Sequence, residues 1–104
     1  MPKVTFLNME LQRPTVLASG ILGLTAASML RVIEAGAGAV TTKSFNTEGR
    51  KGHPNPSILP FRHGLLNAVG LSNPGVDEVV KEIRLFRERS TAPIFASVFG
   101  RTIE

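Results

Sequence analysis

At 104 residues the chain has room for one small domain at most, and 42% hydrophobic against 19% charged residues marks it as globular. It has no Cys, which excludes disulfides, thiolate metal sites and cysteine nucleophiles within these residues. The net charge of +4 comes without Trp or Tyr, so there is no aromatic platform or basic stripe of the kind that binds nucleic acid.

Val4-Thr5-Phe6-Leu7, Asn8-Met9 and Glu10-Leu11-Gln12 spell a short hairpin ending at Pro14. Thr15 to Ser19 is apolar at successive positions and is stopped by Gly20, as in a strand buried on both faces of a parallel sheet. From Thr25 the period turns helical. Thr25 stands as N-cap, Ala26, Met29, Leu30 and Ile33 keep i, i+3/i+4 spacing, and Gly36 and Gly38 supply the stop. The uncharged stretch from Pro14 to Leu30 falls short of the roughly 20 apolar residues that span a bilayer. Thr15, Ser19, Gly20, Gly23, Thr25 and Ser28 interrupt it, so neither a membrane anchor nor an export signal is expected.

Ala39-Val40-Thr41-Thr42 is a second buried strand ending on Lys43 and Ser44. Phe45 to Gly64 reads as a long irregular loop, a kind that is usually functional or disordered. After Asn73-Pro74-Gly75 an amphipathic helix begins. Val76, Val79, Val80 and Ile83 form its apolar stripe, while Asp77, Glu78, Lys81 and Glu82 are expected to face away. Acids at its start and Arg87 and Arg89 at its end complement the helix dipole. Pro93 to Phe99 is a third strand, and Gly100 to Glu104 reads as a loop and the first turn of a further helix.

Strands alternating with helices predict an α/β chain of parallel βαβ units, with strand order 1-2-3 and Ser19, Lys43 and Ser97 at one end of the sheet. The pattern stops in mid-repeat, so residues 1–104 are expected to be a partial domain, cut after its third barrel strand.

In a (β/α) barrel chemistry gathers at the C-terminal strand ends. There stand Ser19, then Lys43 with Ser44, then Ser97. By themselves Ser19 and Ser97 are ordinary turn or capping hydroxyls. Lys43 closes an apolar strand, where an unpaired ammonium is costly to bury, unless its stem carries it out to solvent. Arg50, Lys51, His53, Arg62 and His63 make a solvated basic loop, with no acidic or Cys neighbours at metal-ligand spacing. Asn67 to Gly75 offers an amide with both donor and acceptor at Asn67 and close backbone approach at Gly70. Read alone, it is equally a turn followed by a helix cap at Asn73 and Pro74. Gly36-Ala37-Gly38 follows a helix and is no dinucleotide fingerprint.

Three segments together resemble the class 1, FMN-dependent dihydroorotate dehydrogenases. They are Leu17-Ala18-Ser19-Gly20, then Gly36 to Ser44, then Leu65-Leu66-Asn67-Ala68-Val69-Gly70-Leu71-Ser72-Asn73-Pro74-Gly75. The resemblance implies the N-terminal portion of a TIM (β/α)8 barrel: an N-terminal hairpin plus about three βα units. It implies a cytoplasmic oxidoreductase acting on CH–CH, which oxidises dihydroorotate to orotate in pyrimidine (UMP) synthesis and passes hydride to FMN. Ala18, Ser19, Gly20, Lys43 and Ser44 would contact FMN. Lys43, Asn67 and the Gly70 and Leu71 backbone would hold the substrate. The family's catalytic base has no counterpart in these residues, so this chain alone is expected to be inactive. Partners implied are the rest of the barrel or further copies of the chain, a homodimer, and an iron–sulfur electron-transfer subunit. A related flavin barrel such as dihydropyrimidine dehydrogenase, or a non-enzymatic fragment that acts by assembly, are the alternatives. The long loop departs from the family: His53-Pro54-Asn55-Pro56 ends on Ser57, and Phe61-Arg62-His63-Gly64 replaces a small Pro-Gly-Gly turn.

Overall fold

A computed structural model of the chain describes residues 2–103. The opening hairpin forms as expected, with β1 (Val4–Phe6) antiparallel to β2 (Met9–Leu11) and Val4 opposite Leu11. Its turn puts Leu7 and Asn8 at positive φ. Leu11 is buried, and the Phe6 ring meets Phe95 edge-on at 6.1 Å.

Three strands make the central sheet: β3 (Val16–Leu17), β4 (Ala39–Thr41) and β7 (Ile94–Phe95), all parallel and in the order β3-β4-β7. The ladders are shorter than the apolar runs that encode them. Of Thr15 to Ser19 only Val16 and Leu17 pair regularly. Beyond the ladder the third run adds only the bridge from Val98 to Phe45.

Leu17, Val40 and Ile94 stand side by side in this register and share one face of the sheet. That face carries α1 (Ala26–Glu34) and α2 (Val76–Arg89). Ala26, Met29, Val40 and Phe86 form the core between sheet and helices. Phe86, fully buried one turn beyond Ile83, extends the expected stripe of α2.

Thr25 caps α1 as its sequence predicts, accepting from the Ser28 amide at 3.2 Å. Gly36 at φ 112° ends the helix. Gly38 serves packing instead, since it lies so close to the Arg13 carbonyl that a Cβ there would overlap it. The expected outward orientation of Glu82 is wrong. Its carboxylate crosses to α1 and accepts from the Ala26 amide at 2.7 Å, so one helix satisfies an orphan donor of the other. On the exposed face, the hydrogen bond from Lys81 to Glu78 and the charge of Glu78 hold the Lys81 ammonium above its ordinary range.

Two further readings are corrected. The stretch from Phe45 to Gly64 is not all irregular: β5 (Ile58–Phe61) turns at Arg62-His63 and pairs with β6 (Gly64–Asn67). Its signal was hidden by Pro60 within a strand and by the charge at the turn. Helix α2 starts from Gly75 at φ 92° with no side-chain cap, so the cap at Asn73 and Pro74, one of the two readings of this stretch, does not form. No helical turn forms over Gly100 to Ile103, and Glu104 lies outside the described residues.

Candidate functional site

Parallel strands end together, so residues far apart in sequence meet at the C-terminal edge of the sheet. Ser19 follows β3, Lys43 and Ser44 follow β4, and Ser97 follows β7. The Ser19 hydroxyl donates to the Thr42 carbonyl at 2.8 Å and lies 3.2 Å from Ser44 Oγ. Ser44 Oγ is in turn 2.6 Å from Ser97 Oγ. The Ser97 amide donates to Thr42 Oγ1 at 3.1 Å, which satisfies that buried hydroxyl. A row of three hydroxyls therefore crosses all three strands.

Lys43 sits within this clamp. Its own amide donates to the Gly23 carbonyl at 3.0 Å, and the residues on either side of it are tied to Ser19 and Ser97. Gly23 makes the approach possible, because a Cβ there would lie 2.7 Å from the Lys43 nitrogen. By sequence alone Ser97 is a turn hydroxyl. Nothing in its local spacing shows that its partner is 53 residues earlier.

The second wall comes from β6 and the loop after it. Asn67 and Leu65 share a face of the β5–β6 hairpin with Ile58, as the Ile58↔Asn67 register requires. Ser19, Gly20, Lys43, Ile58, Leu65 and Asn67 all line one open cleft of about 940 Å³, with Ile21, Leu24 and Val69 among its apolar walls. Expected ligand contacts from two separate elements, Ser19, Gly20 and Lys43 on one side and Asn67 on the other, thus face the same space. Ala18, Ser44, Gly70 and Leu71 do not line it. Ser44 stands one hydrogen bond behind Ser19.

Gly70 and Leu71 both have positive φ, 80° and 56°. For Leu71 this is a strained, left-handed backbone. Asn73 holds the turn in place. Its side-chain amide donates to the Leu71 carbonyl at 2.9 Å, and its Oδ1 accepts from the Gly75 amide at 3.0 Å and the Asn46 amide at 3.3 Å. Three backbone groups from two segments converge on this one buried side chain. Of the basic loop, His53 packs on Gly70 and its amide donates to the Val69 carbonyl at 3.1 Å. Among the described residues no group of three or more His, Cys, Asp or Glu is placed to hold a metal ion, and no helix is long and apolar enough to cross a membrane.

A parallel sheet with helices on one face and its polar side chains gathered at the C-terminal strand ends is part of an α/β barrel of the kind that carries enzyme sites. A structural neighbour agrees: dihydroorotate dehydrogenase from Eimeria tenella, solved in complex with ferulenol, superposes with a TM-score of 0.71 over 92% of this chain and 27% of its own, at 23% identity. The family model for dihydroorotate dehydrogenase matches residues 1–104, and the chain belongs to that family. Among its relatives, the catalytic subunit of dihydroorotate dehydrogenase B (NAD(+)) from Methanosarcina mazei is 48% identical over 94% of this chain and 32% of its own length. The protein of the same name from Methanothermobacter thermautotrophicus is 42% identical over the whole of this chain and 34% of its own. The chain spans about a third of the length of the curated relatives it matches.

Proposed function

We propose that this chain supplies the strand-end wall of a dihydroorotate dehydrogenase site, in which dihydroorotate is oxidised to orotate beside FMN. The observation that carries the reading is the convergence of Ser19, Gly20 and Lys43 with Asn67 on one cleft. The cleft suits a planar heteroaromatic group: apolar side chains such as Ile21, Leu24, Ile58, Leu65 and Val69 for the ring faces, polar ones such as Lys43 and Asn67 for the heteroatoms, and a volume within the usual range for small-molecule sites.

In this reading Ala18, Ser19, Gly20, Lys43 and Ser44 lie along the flavin, which when bound supplies the hydride acceptor. Lys43 places an ammonium where charge develops on the substrate, and Asn67 pairs with the polar edge of the pyrimidine. The Gly70 and Leu71 backbone, held by Asn73 next to the lining residues Val69 and Ser72, is assigned to the substrate carboxylate by the resemblance alone. No residue here is assigned the proton abstraction. The relatives are named as catalytic subunits, which supports a further electron-transfer subunit as partner. The absence of Cys and of an apolar spanning helix among the described residues fits a cytoplasmic setting.

The test is to replace the matching segment of the Methanosarcina mazei protein with this chain and measure flavin content and dihydroorotate oxidation. A flavin-loaded, active chimera is expected. In it, Lys43→Ala slows flavin reduction, and Asn67→Ala raises KM by about tenfold, the equivalent of one net hydrogen bond. A chimera that folds but takes up no flavin would overturn the reading, as would unchanged reductive kinetics in both variants.

A further inference from the structure

Phe45 still bridges Val98 of the third strand run, but after Asn46 the chain leaves the sheet and returns only at Gly75, where α2 begins. This excursion is laced to itself from end to end. Beyond the β5–β6 ladder, the Ala68 amide donates to the Ser57 carbonyl at 2.8 Å and the His53 amide to the Val69 carbonyl at 3.1 Å. Arg50 and Asn73 then exchange backbone bonds of 2.8 and 2.9 Å. The segment is therefore one arm, with its tip at Arg62-His63 and its root at Asn46 and Gly75. Among the described residues, the hydrogen bonds that tie the arm to the rest of the fold all lie at that root. Asn73 Oδ1 accepts from the Asn46 amide on the way in and from the Gly75 amide on the way out. The Gly49 amide donates to Asn46 Oδ1 at 2.8 Å, and the Val76 amide reaches the Thr47 carbonyl at 3.4 Å. Gly49 and Gly75 cross there backbone to backbone, since a Cβ on Gly49 would lie 3.2 Å from the Gly75 nitrogen.

We infer that Asn73 is a positioning residue of the site. By closing both exits of the arm with one buried oxygen, it sets where the wall of Ile58, Leu65, Asn67 and Val69 stands relative to Lys43 on the sheet. The inference rests on the reading in which Asn67 pairs with the substrate, and adds what keeps Asn67 within reach. An arm that pivots at its root moves further along its length, so a loosened root is magnified at Asn67. A misplacement of about 1 Å is enough to lose a contact of this kind.

The chimera with the Methanosarcina mazei remainder supplies the test, as a double-mutant cycle read in KM for dihydroorotate. Asn67→Ala should raise KM by about tenfold in the wild-type chimera, and again in Asn73→Asp, whose carboxylate keeps both root bonds. In Asn73→Ala the wall is already displaced, so adding Asn67→Ala should cost little more. A residue that only stabilised the fold would lower the active fraction and leave the cost of Asn67→Ala at tenfold, and that result overturns the proposal. Where Asn73→Ala does not fold, Asn46→Ala, which unties Gly49 at the same root, takes its place with the same outcomes. The arm is also read without substrate, from the distance between nitroxide labels at Arg31→Cys on α1 and Arg62→Cys at the tip. Any Cys of the remainder is replaced by Ser for this measurement. Asn73→Ala should shift or broaden the distance and Asn73→Asp should restore it; one distribution shared by all three overturns the proposal. If Asn67→Ala has no effect in the wild-type chimera, the substrate reading fails, and the label distance decides the role of Asn73 by itself.

Discussion

Asn73 shows how much a single side chain can hold here. Replacing it with alanine would orphan the Leu71 carbonyl and the Asn46 and Gly75 amides near the strained turn. A loss of about 2 kcal/mol is expected for unpaired buried groups of this kind, measured by urea denaturation. Asn73→Asp keeps the acceptor and should lose less. Gly23→Ala is the steric counterpart. Its Cβ would sit 2.7 Å from the Lys43 nitrogen and 2.8 Å from the Thr42 carbonyl carbon, both of them backbone. Overpacking against atoms that cannot rotate away should remove about 1–3 kcal/mol and shift the Lys43 amide resonance, which NMR would show. A variant as stable as the wild type would mean that the strand end is looser than its hydrogen bonds indicate. Neither role was legible in the sequence. Asn73 reads as a helix cap and Gly23 as a loop glycine, because their partners lie 2 to 27 residues away for Asn73 and on another strand for Gly23.

At the level of elements, the helices and parallel strands were legible because each carries its own periodic signal. Thr25 with its i, i+3/i+4 apolar residues places α1, and three apolar runs place β3, β4 and β7. The β5–β6 hairpin was missed because its information lies in cross-strand pairing rather than in either strand alone. Both of its faces carry exposed apolar side chains, Ile58 and Leu65 among them on the cleft side. Ile58, Leu65 and Asn67 face the cleft, while Leu59, Phe61 and Leu66 face away and are 51%, 53% and 63% exposed. An exposed apolar strand face favours association. Leu66→Lys should therefore reduce concentration-dependent association in sedimentation velocity without closing the cleft. An unchanged sedimentation profile would place the sticky surface elsewhere.

Across the whole molecule, order and direction of the sheet followed from the alternation of strand and helix, since parallel neighbours need a crossover. The meeting of Ser19, Lys43 and Ser97 at one strand end followed from the same alternation, whereas their ligand roles came only through a resemblance to known sequences, since composition and spacing left Ser19 and Ser97 as turn hydroxyls. Among the described residues β3 and β7 each pair on one side only. Barrel phosphate sites are usually built by the loops after strands seven and eight. The chain by itself should therefore lose FMN on gel filtration, whereas the chimera with the Methanosarcina mazei remainder should retain it. Stoichiometric flavin on the chain alone would show that the strand-end wall suffices.

The carboxylate that reaches from α2 to the first amide of α1 also gives the molecule a clock. Amides in the opening turn of a helix ordinarily lose their protons to solvent quickly, because nothing within the helix covers them. The Ala26 amide is covered by Glu82, a residue 56 positions later on another helix. Its deuterium uptake should therefore run at the rate at which the two helices part, far slower than at Ala27 beside it, and Glu82→Ala should collapse that difference. One resonance would then time the undocking of a layer of the fold, with no label added to the chain.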